Sequence, residues 1–180
     1  MQQLDDQTLV KSAQNGNTQA VGELYDRHQE RIFRYVRSRV YDHQLAQDLT
    51  GDIFVRMVTN LKQYEESGYP FTAWLYRIAR NLIVDHHRKE DRYMSVPIEQ
   101  VYHVSTTDYE PAVAVEQQLS RERLHLALEK IDETQREVIR LRFLAGLSLQ
   151  EVADTLGKTV GAIKAQQYRG LLALRVAIKQ

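Results

Sequence analysis

Apolar residues recur at helical intervals through the first half of the chain. Trp74, Ile78 and Leu82 follow one another every four residues, a spacing that places them on one face of a helix. Two earlier runs recur in a similar way, and no segment before residue 90 alternates with the period of a strand. The pattern predicts three or four helices in residues 1–90. The earlier runs are Leu24, Phe33, Val36 and Val40, followed by Ile53, Phe54, Met57, Val58 and Leu61.

Capping residues divide the last third of the chain into four predicted helices. Ser148 and Glu151 have the spacing of a capping box, in which each side chain accepts a hydrogen bond from the other residue's amide. Asp132 stands three residues before Gln135 in a similar arrangement. Gly157 suits the end of the short helix that Ser148 opens. The four helices are predicted at 119–131, 132–144, 148–157 and 159–178.

The segment between these two halves differs in composition from both. Residues 91–118 contain two of the three prolines, Pro97 and Pro111, and five acidic residues against one basic residue, Arg92. They show no sustained helical period, so we interpret them as a linker. The sequence therefore predicts an all-α protein of two small helical domains, at residues 1–90 and 119–180, of which the second has four helices. A flexible acidic linker at 91–118 is predicted to join them.

Composition narrows the class of protein. The chain has 180 residues, and its 24 basic residues balance its 24 acidic ones. It has no cysteine, which excludes disulfides, cysteine-bound metal and a thiol nucleophile. No run is long and apolar enough to span a membrane, and the polar, acidic N-terminus is unlike a signal peptide. We therefore expect a cytoplasmic protein.

The third and fourth helices of the C-terminal domain have the pattern of a helix-turn-helix. Val152 is predicted to face inward, and Ala153 is small enough for the next helix to cross close to it. Gly157 permits the left-handed turn that ends the first helix. Ile163 then anchors the second helix, which Thr159 is predicted to cap. These residues stand in the relative positions that a helix-turn-helix requires.

The second helix of this motif carries side chains suited to DNA. Residues 158–180 contain five basic residues and no acidic one. Arginine pairs with guanine, glutamine with adenine and lysine with phosphate, so we predict DNA contacts here. The alternative is a helical hairpin whose outer face is simply solvated. The candidate residues are Lys164, Gln166, Gln167, Tyr168 and Arg169.

Aromatic and basic residues are also interleaved between Phe71 and Lys89. Aromatic rings stack on unpaired bases while arginine and lysine hold the backbone, which is how single strands are bound. The alternative is that Trp74, Leu75 and Ile78 belong to the core. The candidate single-strand residues are Tyr64, Tyr69, Arg77, Arg80, Asn81, Arg88 and Lys89.

These motifs together resemble the extracytoplasmic-function (ECF) sigma factors, a two-domain class of bacterial transcription initiation factors in the sigma-70 family. The resemblance covers nearly the whole chain. It rests on residues 48–54, with the sequence DLTGDIF, on residues 71–89 and on residues 148–174, which fall in the family's order and spacing. Gly51 departs from the family, which often has glutamine there, and Gln166 stands where many relatives have a basic residue.

The resemblance implies a role for each domain. The N-terminal domain would bind the clamp helices of the largest subunit of core RNA polymerase, and would melt the minus-ten promoter element and hold one strand, with loop 64–70 receiving a flipped base. The C-terminal domain would recognise the minus-thirty-five element. The resemblance also implies an anti-sigma factor as a partner, no cofactor or metal and no enzymatic activity. The polymerase-binding candidates are Asp48, Thr50, Asp52, Phe54 and Val55.

Three other functions agree with parts of the sequence. A stand-alone helix-turn-helix regulator explains residues 148–178 but not the aromatic and basic run. A metal hydrolase is a second possibility, yet neighbouring residues on a helix point about 100° apart and no hydrolase motif is present. Its candidate residues are Asp85, His86 and His87 with His28, His43 or His103. A protein that binds only other proteins would leave the basic helix without a role, and its DNA affinity would show no steep dependence on salt.

Overall fold

The computed structural model describes residues 4–66, 68–93 and 111–179, and all regular structure in these ranges is helical. A 3-10 turn at Leu61–Gln63 follows α3, and a π-helical turn at Arg140–Leu144 continues α6. The predicted all-α fold with two helical domains is confirmed. The α-helices are α1 Asp6–Gln14, α2 Thr18–Arg37, α3 His43–Asn60, α4 Phe71–Tyr93, α5 Pro111–Glu129, α6 Glu133–Ile139, α7 Leu149–Leu156 and α8 Val160–Ile178.

Side-chain caps explain where several helices begin. The Asp5 carboxylate accepts a hydrogen bond from the amide of Thr8 at 2.8 Å and so satisfies a first-turn donor of α1. At the start of α7, the Ser148 hydroxyl accepts from the amide of Glu151 at 3.1 Å, and the Glu151 carboxylate accepts from the amide of Ser148 at 2.7 Å. The predicted capping box is therefore confirmed.

The core of the N-terminal domain lies between α2, α3 and α4. Ile32, Ile53 and Leu75, one from each helix, are fully buried. Burying one such side chain stabilises the fold by roughly 1.5–3 kcal/mol. Trp74 and Ile78 are half-buried and pack against this core, so for these two residues the core alternative is correct.

An ion-pair network fastens α1 to α2. One carboxylate oxygen of Asp6 lies 2.8 Å from the guanidinium of Arg27, and the other lies 2.8 Å from Nε2 of His28. His28 is buried, and its ring packs edge-on against Phe71 with 5.5 Å between centroids. Burial by itself would raise the pKa of Asp6, but the hydrogen bonds and charges of His28 and Arg27 hold that pKa below its ordinary value.

The first helix of the C-terminal half begins earlier than predicted. Helix α5 starts at Pro111 rather than at residue 119, so residues 111–118 of the predicted linker are helical. Proline is favoured in the first turn of a helix, because its missing N–H has no intrahelical partner there. The remaining part of the predicted linker, 94–110, lies outside the described residues. At the other end of the domain, α8 crosses closely over α6 at Gly170.

The two domains pack directly against each other, which the sequence did not predict. Leu75 and Tyr76 of α4 share one buried cluster with Leu141, Leu147 and Val152 of the C-terminal domain. Helix α7 packs on α4, and the π-helical turn packs on α2. The helix-turn-helix is thereby held against the helix that carries most of the predicted single-strand residues.

Candidate nucleic-acid interface

The predicted helix-turn-helix is formed by α7, a three-residue turn and α8. Gly157 ends α7 in the left-handed conformation, with φ of 63°, and the amide of Lys158 donates to the carbonyl of Ala153 at 2.9 Å. This is the hydrogen-bond pattern that glycine commonly supports at a helix end. The Thr159 hydroxyl accepts a hydrogen bond from the amide of Ala162, in the first turn of α8, at 3.2 Å. Ile163 is fully buried. The sequence prediction for this motif holds at each of these positions.

The first half of α8 carries all five predicted DNA-contacting residues. Lys164, Tyr168 and Arg169 are exposed, and 66% of the Tyr168 surface is accessible. Gln166 and Gln167 are half-buried. The structure therefore brings two cations and one phenol to an open helix face, with two amides at its border.

One of these amides is held in a fixed orientation by a residue that the sequence analysis missed. Arg142, in the π-helical turn, donates from Nε to Oε1 of Gln167 at 3.0 Å. Arg142 also donates to the carbonyl of Leu147, and its guanidinium lies 5.6 Å from the ring centroid of Phe143. This hydrogen bond turns the oxygen of the Gln167 amide towards Arg142. No sequence pattern links these residues, which lie 25 positions apart.

The loop between α3 and α4 holds two predicted single-strand residues in different settings. Tyr64 is half-buried, its ring centroid lies 4.9 Å from that of Trp74, and its hydroxyl donates to the carbonyl of Tyr69 at 3.0 Å. Burial, and then the charge of Glu66, raise the pKa of Tyr64, so this phenol stays protonated. Tyr69 is exposed, with the Arg77 guanidinium 4.1 Å from its ring centroid. Tyr64 thus supports the loop, while Tyr69 offers an aromatic surface.

A small cavity of about 210 Å³ opens beside this loop. Asp5, Asp6 and Glu66 contribute carboxylates to its lining, and Phe71 contributes an aromatic ring. Carboxylates repel phosphate but accept hydrogen bonds from amino groups. The cavity is therefore poorly suited to the phosphate backbone of a strand.

Three arginines line an open groove of about 460 Å³ between α3 and α4. Arg80 and Arg88 were predicted single-strand residues, whereas Arg56 was not. Arg56 lies four residues after Asp52, about 40° round the helix from it, so it borders the exposed face of α3 and lines the groove from there. Lys89 is exposed but does not line the groove. The groove residues are Arg56, Arg80, Asn81, Val84, Asp85 and Arg88.

Arg77 is separated from this groove by its contacts with the other domain. It is half-buried, and its guanidinium donates to the carbonyls of Asp154 and Thr155 at 3.1 and 3.5 Å. Both acceptors lie in the last turn of α7. In this arrangement Arg77 is engaged by the helix-turn-helix rather than available to a strand.

The exposed face of α3 contains only part of the predicted polymerase surface. Asp48, Asp52 and Val55 are exposed, and so is the neighbouring Val58, which the sequence analysis did not include. Gln44 donates to the carboxylate of Asp48 at 3.1 Å. The exposed surface therefore combines two carboxylates with two valines.

Thr50 and Phe54 do not belong to that surface, contrary to the prediction. The Thr50 hydroxyl is buried and donates to the carbonyl of Ala46 at 2.7 Å. Phe54 is buried and packs edge-on against Tyr25, with 4.8 Å between centroids. Positions 50 and 54 are one helical turn apart and face the core. Positions 48, 52 and 55 alternate with them in the sequence but face solvent.

Two of the residues considered for a metal hydrolase lie beside the same carboxylate on α4. His86 lies 3.2 Å from the carboxylate of Glu90, and His87 lies 3.8 Å from it. Across the described part of the chain, no three histidine, aspartate or glutamate side chains are grouped so as to hold a metal ion. Within the same residues, no helix has the length and apolar character needed to cross a bilayer.

Both halves of the chain match models of known protein families. The family model for Sigma-70 region 2 matches residues 24–93, and that for Sigma-70, region 4 matches residues 127–176. The ECF RNA polymerase sigma factor BldN of Streptomyces coelicolor is 36% identical over 92% of this chain, and the chain spans 63% of its length. SigD of Mycobacterium tuberculosis, also an ECF RNA polymerase sigma factor, is 31% identical over 93% of this chain and 81% of its own.

A solved structure agrees with these matches over the whole fold. CnrH, in complex with the cytosolic domain of CnrY, shares 27% of its sequence with this chain and superposes with a TM-score of 0.73 over 97% of both chains.

Two helical domains that carry a helix-turn-helix and an arginine-lined groove define a DNA-binding protein. The chain belongs to the ECF sigma factors of the sigma-70 family, RNA polymerase subunits that direct promoter recognition. The match to region 2 accounts for the N-terminal half, which a stand-alone regulator left unexplained.

Proposed function

We propose that three surfaces divide the work of this sigma factor. The exposed face of α3 binds core RNA polymerase, the groove between α3 and α4 with its adjoining loop holds the melted minus-ten strand, and α8 reads the minus-thirty-five element. The observation that carries the proposal is the open first half of α8, which presents Lys164 and Arg169 in a segment without acidic residues. A negatively charged duplex is the partner that such a face attracts.

On α8, the side chains have separable roles. Arg169 and Gln166 read base edges, while the compact charge of Lys164 contacts phosphate. Tyr168 supplies an exposed ring beside them, and Arg142 orients the Gln167 amide through its hydrogen bond to the Gln167 oxygen.

In the N-terminal domain, the groove arginines follow the backbone of the single strand. Arg56, Arg80 and Arg88 supply positive charge, and Asn81 supplies hydrogen-bonding groups between them. Lys89 extends this charge along α4. Tyr69 is the ring on which an unpaired base would stack, and loop 64–70 would hold a flipped base.

On α3, Asp48, Asp52, Val55 and Val58 form the proposed contact with the clamp helices of the largest polymerase subunit. Two valines with accessible surface beside two carboxylates resemble an interface with an apolar centre and a polar edge. Thr50 and Phe54 support this surface from the core.

The chain acts in this proposal as an initiation factor without an enzymatic activity or cofactor of its own. It works in the cytoplasm, where core polymerase and promoter DNA meet. The complex of CnrH with the cytosolic domain of CnrY supports a further protein partner, an anti-sigma factor, for this chain as well.

The test is run-off transcription with bacterial core polymerase and a promoter library randomised at both elements. Transcripts that share a two-element promoter are expected only when the protein is present. Arg169→Ala and Gln166→Ala should alter the preferred upstream element alone, whereas Arg80→Ala should reduce open-complex formation at every promoter. Lys179→Ala, at the far end of α8, is the matched control. If no transcript forms and the protein alone shifts duplex DNA, the stand-alone regulator replaces this proposal.

A further inference from the structure

Gly51 lies in the middle of the exposed face of α3. Helical spacing puts it on one face with Val55 and Val58, which come one and two turns later, and Asp48 stands one turn before it. All four positions are exposed. The glycine therefore leaves a gap in a row of larger side chains. We call this gap, bounded by Asp48, Val55 and Val58, the α3 notch.

The described structure contains no internal reason for a glycine at this position. Four other glycines have positive φ, and Gly170 lies at the close crossing of α6 and α8. The φ of Gly51 is not positive, and no described atom lies within 4 Å of the place where its Cβ would be. Alanine would fit there and would stabilise the helix, because glycine loses more backbone freedom on folding. The missing side chain therefore points to close approach by another molecule.

A helix of core RNA polymerase has the shape that fits this notch. When two helices pack, the side chains of one fill the gaps of the other, with the axes about 8–10 Å apart. A position without a side chain admits a larger one from the partner helix. Val55 and Val58 form apolar walls beside Gly51, so the side chain that enters should be large and apolar. The carboxylates of Asp48 and Asp52 favour lysine or arginine next to it on the partner.

We propose that the α3 notch receives one large apolar side chain from a helix of core polymerase, and that Gly51 determines how closely that helix approaches α3. The inference rests on the polymerase-binding surface proposed above and names the position within it that decides the fit. A side chain at position 51 would hold the partner helix away from both valines. The glycine therefore lowers the stability of the free protein but permits the contact.

The first test compares two substitutions of glycine by alanine. Gly51→Ala and Gly22→Ala, the latter in α2, each add a methyl group at an exposed helical position with no described atom within 4 Å. Both should raise the melting temperature by about 2–4 °C. Only Gly51→Ala should weaken binding to core polymerase, by about five- to tenfold, because the methyl group overfills the notch. Competition against the labelled, unaltered protein measures the affinity.

A larger side chain tests whether this effect is steric. Gly51→Leu adds apolar area to the surface and keeps a good helix former, yet it should bind core polymerase at least tenfold more weakly than the unaltered protein. Tighter binding by Gly51→Leu, or unchanged binding by Gly51→Ala, would overturn the proposal. A lower melting temperature for Gly51→Ala would overturn it as well, because the substitution would then damage the fold rather than fill the notch.

Asp52→Ala separates failure of this inference from failure of the proposed function. Asp52 borders Gly51 in the sequence but is turned about 100° from it on the helix, so it does not fill the notch. If Asp52→Ala weakens binding to core polymerase while both Gly51 variants bind normally, the α3 surface stands and the notch is refuted. If all three variants bind normally, the proposed surface is refuted and the notch with it.

Discussion

Arg142 and Gln167 form a hydrogen bond of 3.0 Å between the π-helical turn and the middle of the recognition helix. The bond turns the side-chain oxygen of Gln167 towards Arg142, and Gln167 is one of the DNA contacts that we propose. A residue outside the helix-turn-helix thus orients a side chain of α8 that we propose to contact DNA.

This pairing predicts coupled effects on binding to the upstream element. Arg142→Lys keeps the charge but removes Nε, and the loss of one hydrogen bond costs about 1 kcal/mol, or about fivefold in affinity. Gln167→Ala should cost a similar amount, and the double variant little more than either single one. Fluorescence anisotropy with duplex DNA measures the cycle. Additive effects would contradict the coupling, since independent sites add within about 0.5 kcal/mol.

We predict that a methyl group added at Gly170 destabilises the protein. A second glycine of α8 provides the control. A Cβ there would lie 2.9 Å from Ile139 Cδ1 and 3.2 Å from Gln135 Cβ, so Gly170→Ala should lower the free energy of unfolding by about 1–3 kcal/mol. Gly161→Ala, on the same helix and with nothing within 4 Å of the new methyl, should instead raise it by up to about 1 kcal/mol. Urea unfolding compares the two. Similar values for both variants would show that α6 and α8 are not held this closely.

The sequence predicted most of the local structure because its determinants are local. The capping box of Ser148, the left-handed Gly157 and the anchor Ile163 each depend on neighbours within a few residues, and each holds in the structure. Helical period alone, applied strictly, would also have assigned Thr50 and Phe54 to the core. The family pattern instead placed them on the polymerase surface.

The remaining features depend on contacts between distant residues. Arg142 reaches Gln167 across 25 positions, and Tyr35 reaches Glu137 across 102. Nothing in the residues near Tyr35 distinguishes it from an ordinary core tyrosine. The contact between the domains likewise joins residues that are far apart in the sequence. It includes the hydrogen bonds from Arg77 to the carbonyls of Asp154 and Thr155, which no local pattern predicts.

The ion pairs of Asp6 should make the stability of the protein depend on pH in the acidic range. Its folded-state pKa is lowered, so its ion pairs stabilise the protein fully above the unfolded value of about 3.9 and are lost as the pH falls through the lower folded value. Asp6→Asn should therefore reduce stability at pH 7 and flatten the decline below pH 4. Chemical unfolding at several pH values measures both effects. Asp26→Asn, an exposed carboxylate on α2, serves as the control, and an equally flattened curve for it would contradict the assignment to Asp6.

Substitutions at two neighbouring positions of α3 should have different effects. One should weaken binding to core polymerase, and the other should lower the stability of the fold. Asp52→Ala should weaken binding to core polymerase about fivefold, as interface residues worth ~1 kcal/mol do, with unchanged unfolding. Phe54→Ala should lower the free energy of unfolding by about 3–5 kcal/mol, because Phe54 is buried. Competition for labelled core polymerase, together with urea unfolding, distinguishes the two. Loss of binding by Asp52→Ala and by the exposed Asp26→Ala alike would show that net charge, rather than this surface, matters.

We predict that Arg56 contacts one phosphate of the single strand. The dependence of the binding affinity on salt concentration can count such contacts. If the arginine-lined groove carries the single strand, Arg56→Gln removes one cation from the path without altering the core, since Arg56 is exposed. The slope of log affinity against log salt concentration should then become shallower by about 0.7, the value for one phosphate on a single strand. Holoenzyme binding to the non-template minus-ten strand, titrated from low to physiological salt, measures the slope. Lys11→Gln, an exposed cation on α1, should leave it unchanged; equal slopes for Arg56→Gln and the unaltered protein would place the strand outside this groove.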